Sequence, residues 1–143
     1  MAFTTAQLAS EINSDPAALG YAAHVASGDD AGVAALLNAA TTTKVFRNDL
    51  ATHEVLNAIV AADFAALTQL QVSKLALFFA GTTTVDATNA NTRTIFLGVF
   101  TGMANTVTAL TALAQRNGSR AEVLWGVGTV ITAANVSLAL RGT

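Results

Sequence analysis

His53 and Glu54 are the residues best placed in this sequence to do chemistry, because together they form the first half of a zinc-protease motif. The complete motif has a second histidine one helical turn later, so that two imidazole rings hold the metal while the glutamate acts as general base. Position 57 is occupied by Asn57, and the second metal ligand is therefore missing. A lone histidine near a helix start is more often a capping or surface residue, so we predict no metal site.

Three further motifs are incomplete or missing. Gly126 and Gly128 lack the third glycine, the preceding strand and the distal acid of a dinucleotide-binding loop. Asp29 and Asp30 would bind a cation only weakly, since a calcium loop needs more oxygen ligands at alternating positions. No Gly-Lys-Ser or Gly-Lys-Thr phosphate loop occurs, and His24 has no carboxylate near it in the sequence, so it is expected to pack on a helix face. We predict a protein that is not an enzyme and binds no cofactor.

The composition indicates a surface that other proteins cover. Apolar residues make up 52% of the chain and charged residues only 11%, against about 25% charged residues in an ordinary soluble domain. A compact monomer of 14.6 kDa exposes roughly 6,900 Å². Its seven basic and nine acidic residues would then stand at roughly one charge per 430 Å², less than half the ordinary density. Twenty threonines solvate part of this surface, and we predict that contacts between subunits bury the rest.

The charge pattern argues against nucleic acid as a direct partner. The net charge is −2, and the basic residues are scattered along the chain without interleaved aromatic side chains. The absence of cysteine excludes disulfides and thiol nucleophiles, and it fits a reducing compartment. The first residues lack the basic stretch and apolar core of a secretory leader, so we predict no signal peptide.

The segment from Thr94 to Gln115 raises the possibility of a membrane span, because its 22 residues carry no charge. Gly98 and Gly102 stand four apart within it, a spacing that favours close packing of one helix on another. Interior threonines, Asn105 and the glycines themselves oppose a span, and the apolar pattern breaks near Gly102 into two amphipathic pieces. We therefore predict that this segment does not cross a membrane.

Capping boxes mark where several helices begin. In each box a Ser or Thr hydroxyl accepts from the backbone three residues later, and the Glu or Gln found there accepts from the backbone of the capping residue. The pattern occurs at Thr4 with Gln7, at Thr68 with Gln71 and at Ser119 with Glu122. The last box puts Arg120 in a first helical turn, where a cation opposes the helix dipole. We interpret this stretch first as a local helix cap. The misfit of Arg120 is the one hint of the alternative, an arginine held by the carboxylate of a partner.

Helical spacing of apolar residues accounts for most of the remaining chain. Asp15 with Pro16 has the form of an N-cap followed by proline in the first turn. The pattern also predicts one helix from Thr52 to Ala62 and a last helix that starts at Thr129.

No alternation of period two persists long enough to build a sheet, and the threonine-rich stretches 39–49 and 82–90 are expected to be connectors, with a brief extended contact at Val45 and Phe46. The sequence thus predicts an all-α fold. It would be a compact bundle of seven or eight short helices, with no sheet, forming a single helical domain over residues 1–143.

Four short motifs spread over nearly the whole chain form a recognisable set: Asp15-Pro16 with Leu19-Gly20-Tyr21, Val33 to Asn38, Asn91-Thr92-Arg93, and Gly118 to Glu122. Their order and spacing resemble a group of small proteins encoded in the structural gene modules of tailed bacteriophages. The resemblance implies a virion component without catalytic activity. The head-to-tail connector is the preferred placement, because its adaptor rings are commonly helical. The resemblance carries no defined functional residue over to this chain.

A ring-forming adaptor of this kind would pack against further copies of itself and dock on portal or tail components. It would be found in the virion and, during assembly, in the cytoplasm of the infected bacterial host. The alternatives are a holin-like membrane-active protein and another non-enzymatic tail or capsid component. The predicted interface residues are Arg93, Arg120, Trp125, Ile131, Leu138, Phe78 and Phe79.

Overall fold

The structure is a computed structural model that describes residues 2–142, and within that range it contains ten helices and four short strands. The helices are α1 (Thr5–Ser14), α2 (Tyr21–Ser27), α3 (Asp30–Asn38), α4 (Thr52–Ala58), α5 (Ala61–Ala65), α6 (Gln69–Phe79), α7 (Ala90–Val99), α8 (Ala104–Leu113), α9 (Arg120–Trp125) and α10 (Ala133–Arg141). The strands are β1 (Ala40–Phe46), β2 (Leu50–Ala51), β3 (Thr84–Val85) and β4 (Gln115–Ser119).

The prediction of a purely α-helical fold with no sheet is wrong. The chain is mostly helical, but β1 pairs with β4 and β2 pairs with β3 in two small antiparallel sheets. In the second sheet Leu50 lies opposite Val85 and Ala51 opposite Thr84. β-Branched residues favour extended backbone, and both threonine-rich stretches supply one strand of a pair. β1 is largely exposed and shows no alternation between buried and exposed positions, so its sequence lacks the pattern that identifies a strand.

The capping boxes predicted at Thr4, Thr68 and Ser119 are confirmed. Each hydroxyl accepts from the backbone N–H three residues on, and each Gln or Glu side chain accepts from the backbone of the capping residue. A fourth box, at Thr132 with Asn135, caps α10, so the last helix begins at Ala133, four residues after the predicted Thr129. These local hydrogen bonds satisfy the N–H groups that a helix start leaves without partners.

The prediction that Asp15 starts a helix is wrong. Asp15 ends α1 in the left-handed conformation, with φ of 38°, which aspartate tolerates better than most residues. Its two carboxylate oxygens accept from the backbone N–H groups of Leu19 and Gly20, each at 2.7 Å. Pro16 lies in the turn between α1 and α2, so this aspartate stabilises the turn and not a following helix.

The single helix predicted from Thr52 to Ala62 is divided in two. Ile59 and Val60 adopt extended backbone between α4 and α5. The Val60 N–H donates to the Thr106 hydroxyl at 3.0 Å, and that hydroxyl donates to the Asp63 carboxylate at 2.6 Å. Thr106 is fully buried. The break is therefore held by a buried side chain of α8, a contact that no local sequence pattern reveals.

The chain divides into two compact units, which we call unit 1 (Met1–Val45 and Asn117–Thr143) and unit 2 (Phe46–Arg116). Unit 2 is an insertion in the sequence of unit 1, because the chain leaves unit 1 after Val45 and returns to it at Asn117. The single domain predicted for residues 1–143 stays a prediction, since cooperative unfolding defines a domain as much as contacts do.

Unit 1 has one core, built from α1, α2, α3, α9 and α10. The side chain of Asn38 and the backbone of Ile131 form two hydrogen bonds. Asn38 Nδ2 donates to the Ile131 carbonyl at 2.7 Å, and the Ile131 N–H donates to Asn38 Oδ1 at 2.9 Å, which fixes the segment before α10 against α3. The buried core residues are Leu8, Ile12, Tyr21, Val33, Ala34, Leu37, Ala121, Trp125, Ile131 and Val136.

Unit 2 holds two smaller clusters of buried side chains. One contains Leu75, Val99 and Phe100, and the other contains Leu50, Val55, Val85 and Ala87. Phe96 and Leu110 pack against both clusters. Unit 2 therefore has fewer fully buried apolar side chains than unit 1.

The uncharged segment from Thr94 to Gln115 is not one helix. α7 ends at Val99, Gly102 has φ of 81°, and α8 begins at Ala104. The close helix packing expected at Gly98 and Gly102 is absent within the described residues, because a Cβ atom at either position would meet no heavy atom within 4 Å. Across residues 2–142, no helix has both the length and the apolar character that a membrane crossing requires.

Candidate functional site

Arg120 is bound by a carboxylate of its own chain. Its Nε donates to Glu11 Oε1 at 2.7 Å and its Nη2 donates to Glu11 Oε2 at 3.0 Å, a bidentate pair between α9 and α1. The Glu11 side chain is only 7% exposed. The hydrogen bond to Glu11 is the main reason that the pKa of Arg120 is raised above its usual range. The carboxylate that holds Arg120 is therefore in the same chain, within unit 1, and not in a partner as the sequence had suggested.

Tyr21 completes this buried ionic cluster. Its hydroxyl donates to Glu11 Oε1 at 3.4 Å, and its ring is fully buried. Burial raises the pKa of the Tyr21 hydroxyl well above its usual range, and the Glu11 carboxylate raises it further. The phenol thus stays protonated and serves as a hydrogen-bond donor. The cluster has the partners of a structural ion pair.

Of the other predicted interface residues in unit 1, two are core residues. Trp125 is 8% exposed, and its ring lies 5.4 Å from that of Phe3. Ile131 is fully packed, whereas Leu138 on α10 is 47% exposed. Leu138 is therefore the member of this group that offers the largest fraction of its side chain to a partner.

Phe78 and Phe79 belong to an aromatic cluster with Phe96. The ring centroid of Phe96 lies 4.7 Å from that of Phe78 and 5.8 Å from that of Phe79, at angles typical of favourable ring pairs. Both predicted interface phenylalanines are partly buried in unit 2. Their interaction with α7 stabilises unit 2, and only a fraction of each ring faces outward.

Arg93 lies at the edge of a cavity in unit 2. Its guanidinium carbon is 4.1 Å from the centre of the Phe46 ring, within the range of a cation–π contact. Its Nη1 donates to the carbonyl oxygens of Ala87 and Thr88 at 2.6 and 2.8 Å. Arg93 pairs with no carboxylate of residues 2–142. Its positive charge is therefore not neutralised by any described acid.

The cavity itself has a volume of about 210 Å³ and apolar walls. The walls come from the end of β1, from β2, α4 and β3, and from α7 and α8. They include Phe46, Val55, Phe96, Leu97 and Leu110. Leu97 is half exposed, so the cavity reaches the surface beside α7.

All nine acidic residues accept hydrogen bonds from the protein itself. Each pairs with a basic side chain, receives a backbone N–H, or accepts from a threonine hydroxyl. These residues are Glu11, Asp15, Asp29, Asp30, Asp49, Glu54, Asp63, Asp86 and Glu122. The few acidic side chains of the chain are thus all engaged in hydrogen bonds within the chain itself.

The two histidines lie on different helices, His53 exposed on α4 and His24 in α2. Glu54 accepts from the Ala51 N–H at 2.9 Å and from Arg47 at 3.3 Å, and the backbone hydrogen bond is the main cause that lowers the pKa of Glu54. His24, expected to have no carboxylate nearby, has its Nδ1 2.8 Å from Asp29 Oδ2. Within residues 2–142 no three side chains of the types that bind metals come together.

Among residues 2–142, ten large apolar side chains are exposed on the surface. Leu77 is 78% exposed and Leu70 is 65% exposed, and the two lie two turns apart on the same face of α6. The full set is Leu56, Phe64, Leu70, Leu77, Ile95 and Leu97 in unit 2 and Val123, Leu124, Val130 and Leu138 in unit 1.

Sequence reasoning missed the cavity and most of these exposed residues. The cavity walls come from segments spread between Phe46 and Ala114, so no spacing along the chain connects them. Comparisons of the chain with protein-family models, with curated proteins and with solved structures find no significant match. Any functional assignment therefore depends on the residues themselves.

Proposed function

We propose that this protein is a non-catalytic structural subunit of a tailed-bacteriophage virion. In the preferred placement it is a ring-forming head-to-tail connector that packs against further copies of itself and docks on a portal or tail component. The resemblance of four motifs to small phage structural proteins supports the placement in a virion. The exposed apolar surface supports assembly.

The observation that carries the proposal is the exposure of ten large apolar side chains on a chain with few charges. The described surface of 7897 Å² carries about one charged residue per 490 Å², less than half the density of an ordinary domain. Single exposed leucines are normal on a monomer, but many of them with little charge between them are typical of a surface that a partner covers.

The free energies of burial and association favour a subunit interface, here called the seam, that contains several of these residues. Burying a half-exposed Leu or Phe yields on the order of 1 kcal/mol, whereas association costs roughly 4–15 kcal/mol in lost freedom of motion. One residue such as Leu77 therefore cannot hold two copies together. A contact in which each copy buries four or five of these side chains brings the gain into the range of the cost.

The test of assembly is sedimentation velocity on the full chain at several concentrations. We expect wild type to form a discrete oligomer, and Leu77→Glu to shift it toward the monomer because a charge would then be buried in the seam. Gln69→Glu adds the same charge at an exposed position on α6 and serves as the matched control that should remain assembled. A wild-type chain that stays monomeric up to millimolar concentration contradicts assembly through its own copies.

The test of the virion placement is mass spectrometry of purified particles of the phage that encodes the chain. We expect its peptides in intact particles, at a ratio to the major capsid protein that corresponds to one ring per particle. Peptides found only in the infected-cell lysate, and never in particles washed at high salt, would contradict this placement even if the purified protein is oligomeric.

A further inference from the structure

We propose that the cavity of unit 2 binds a small apolar monocarboxylate, whose tail fills the cavity and whose carboxylate pairs with Arg93. This site is independent of the proposed assembly role, because it lies among residues 46–116 and needs no second copy.

The volume and walls of the cavity define the tail. An apolar cavity of about 150 Å³ is known to bind benzene, so 210 Å³ corresponds to about eight carbon-sized atoms. The side chains of Phe46, Phe96 and Leu110 supply carbon surface. Thr92 and Thr111 are the neutral polar side chains at its wall, too few to bind the many hydroxyl groups of a sugar. The cavity therefore fits a short hydrocarbon tail.

Arg93 defines the head group. The guanidinium carries donors on three nitrogens, and Nη1 alone is engaged by the carbonyls of Ala87 and Thr88. Among residues 2–142, no acceptor is found for its Nε and Nη2. Two N–H groups side by side on a guanidinium match the two oxygens of a carboxylate.

The acidic residues of unit 2 leave Arg93 without an anionic partner, so a bound molecule can supply one. Unit 2 contains four acidic residues, Asp49, Glu54, Asp63 and Asp86. Each accepts hydrogen bonds elsewhere, from Arg47, from the Ala51 backbone, from Thr106 or from Thr88. None of them neutralises Arg93, so a ligand carboxylate would be its first anionic partner.

The experiment is isothermal titration calorimetry of the full chain with octanoate, which has an apolar tail of seven carbons, and with 1-octanol and octylammonium as probes that lack the negative charge. We expect octanoate to bind with an affinity about tenfold higher than that of octanol, since a charge-assisted pair is added. Octylammonium should bind more weakly than either. Failure of octanoate to bind, or equal binding of octanoate and octanol, overturns the proposal.

Two variants locate the binding. Arg93→Gln should lower the affinity for octanoate about tenfold and leave that for octanol within about twofold. Ala114→Leu places carbon atoms at the cavity wall and should abolish binding of both probes. If Arg93→Gln proves unfolded, two results still test the proposal. They are the ratio of octanoate to octanol affinity in wild type and the loss of binding in Ala114→Leu. Undiminished binding to Ala114→Leu overturns the proposal, because the probes would then occupy another site.

Discussion

The pair between Glu11 and Arg120 makes a specific prediction about stability. Arg120→Leu leaves the Glu11 carboxylate buried without its cation, and removal of one partner from a buried pair costs about 3–5 kcal/mol of unfolding free energy. The loss should appear in urea denaturation followed by the fluorescence of Trp125, which lies in the same core.

The double variant Glu11→Met/Arg120→Leu is the control for this loss. Replacement of both partners by apolar side chains removes the unpaired charge, so it should recover more than half of the lost stability. The recovery stays incomplete because the Tyr21 hydroxyl loses its acceptor. If the single and double variants are equally unstable, packing and not charge pairing is the role of Arg120.

The carboxylate of Asp15 predicts a pH dependence. Desolvation raises the pKa of Asp15, but hydrogen bonds from the backbone of Leu19, Gly20 and Tyr21 outweigh it and lower the pKa below the ordinary 3.8. The charged form is therefore bound more tightly in the folded state, so its contribution to stability is present above pH 3.8 and is lost as the pH falls through the lowered pKa.

Asp15→Asn tests this contribution. Asparagine also tolerates the left-handed backbone but has a single acceptor oxygen and no charge, so the variant should melt below wild type at pH 7. The difference should narrow as the pH is lowered through about 4 toward 2, because wild type then loses its charge as well. A difference in melting temperature that stays constant with pH would show that the carboxylate charge is not what stabilises the turn.

Some residues showed their roles in the sequence and others did not. Arg120 stood out because a cation in a first helical turn opposes the helix dipole, and that misfit suggested a carboxylate of a partner, whereas the carboxylate belongs to the same chain. The sequence could not show that the carboxylate is Glu11, which is 109 residues away. Thr106 was equally hidden, since only the fold reveals that it is buried between Val60 and Asp63.

At the scale of elements, the pairing of β1 with β4 depends on Gly118. A Cβ atom there would lie 2.5 Å from Val45 Cγ1. Gly118→Ala should therefore lower the unfolding free energy by about 1–3 kcal/mol through overpacking. Gly98→Ala is the matched control, because the new methyl group enters open space in the last turn of α7 and should raise helix stability by no more than about 0.5 kcal/mol.

Chemical denaturation of the two variants, and of Val45→Ala/Gly118→Ala, measures these changes. The double variant removes the methyl groups that the new Cβ would meet, and it should recover much of the loss in Gly118→Ala. If Gly118→Ala is as stable as wild type, then Val45 moves aside at no cost and the close approach of the strands does not require glycine.

The starts of helices could be predicted where their signal is local, whereas the strands could not be predicted. A capping box needs only residues three apart, so the boxes at Thr4, Thr68 and Ser119 could be recognised directly. Strands need a partner, and β1 meets β4 after a separation of about 70 residues. Short, exposed strands of this kind lack the alternation that identifies a strand in sequence.

At the scale of the whole molecule, the helical character was predictable and the division into two units was not. Composition gave a correct expectation of helix, because few prolines and frequent apolar residues at helical spacing favour it. Units 1 and 2 do not differ in a way that marks a boundary, and no proline-rich or glycine-rich linker separates them. The cavity of unit 2, and with it the candidate ligand site, could not be predicted either, because its lining residues are spread between Phe46 and Ala114.

The insertion of unit 2 has a consequence for how the gene can change. The chain leaves unit 1 along β1 and comes back along β4, and these two strands are paired. Exchange of the stretch between Val45 and Asn117 would thus join new sequence to two ends that already lie side by side, as in a hairpin whose loop is free to vary. Related genes could diverge fastest between these two points, acquiring or losing a whole module there while the surrounding scaffold is inherited intact.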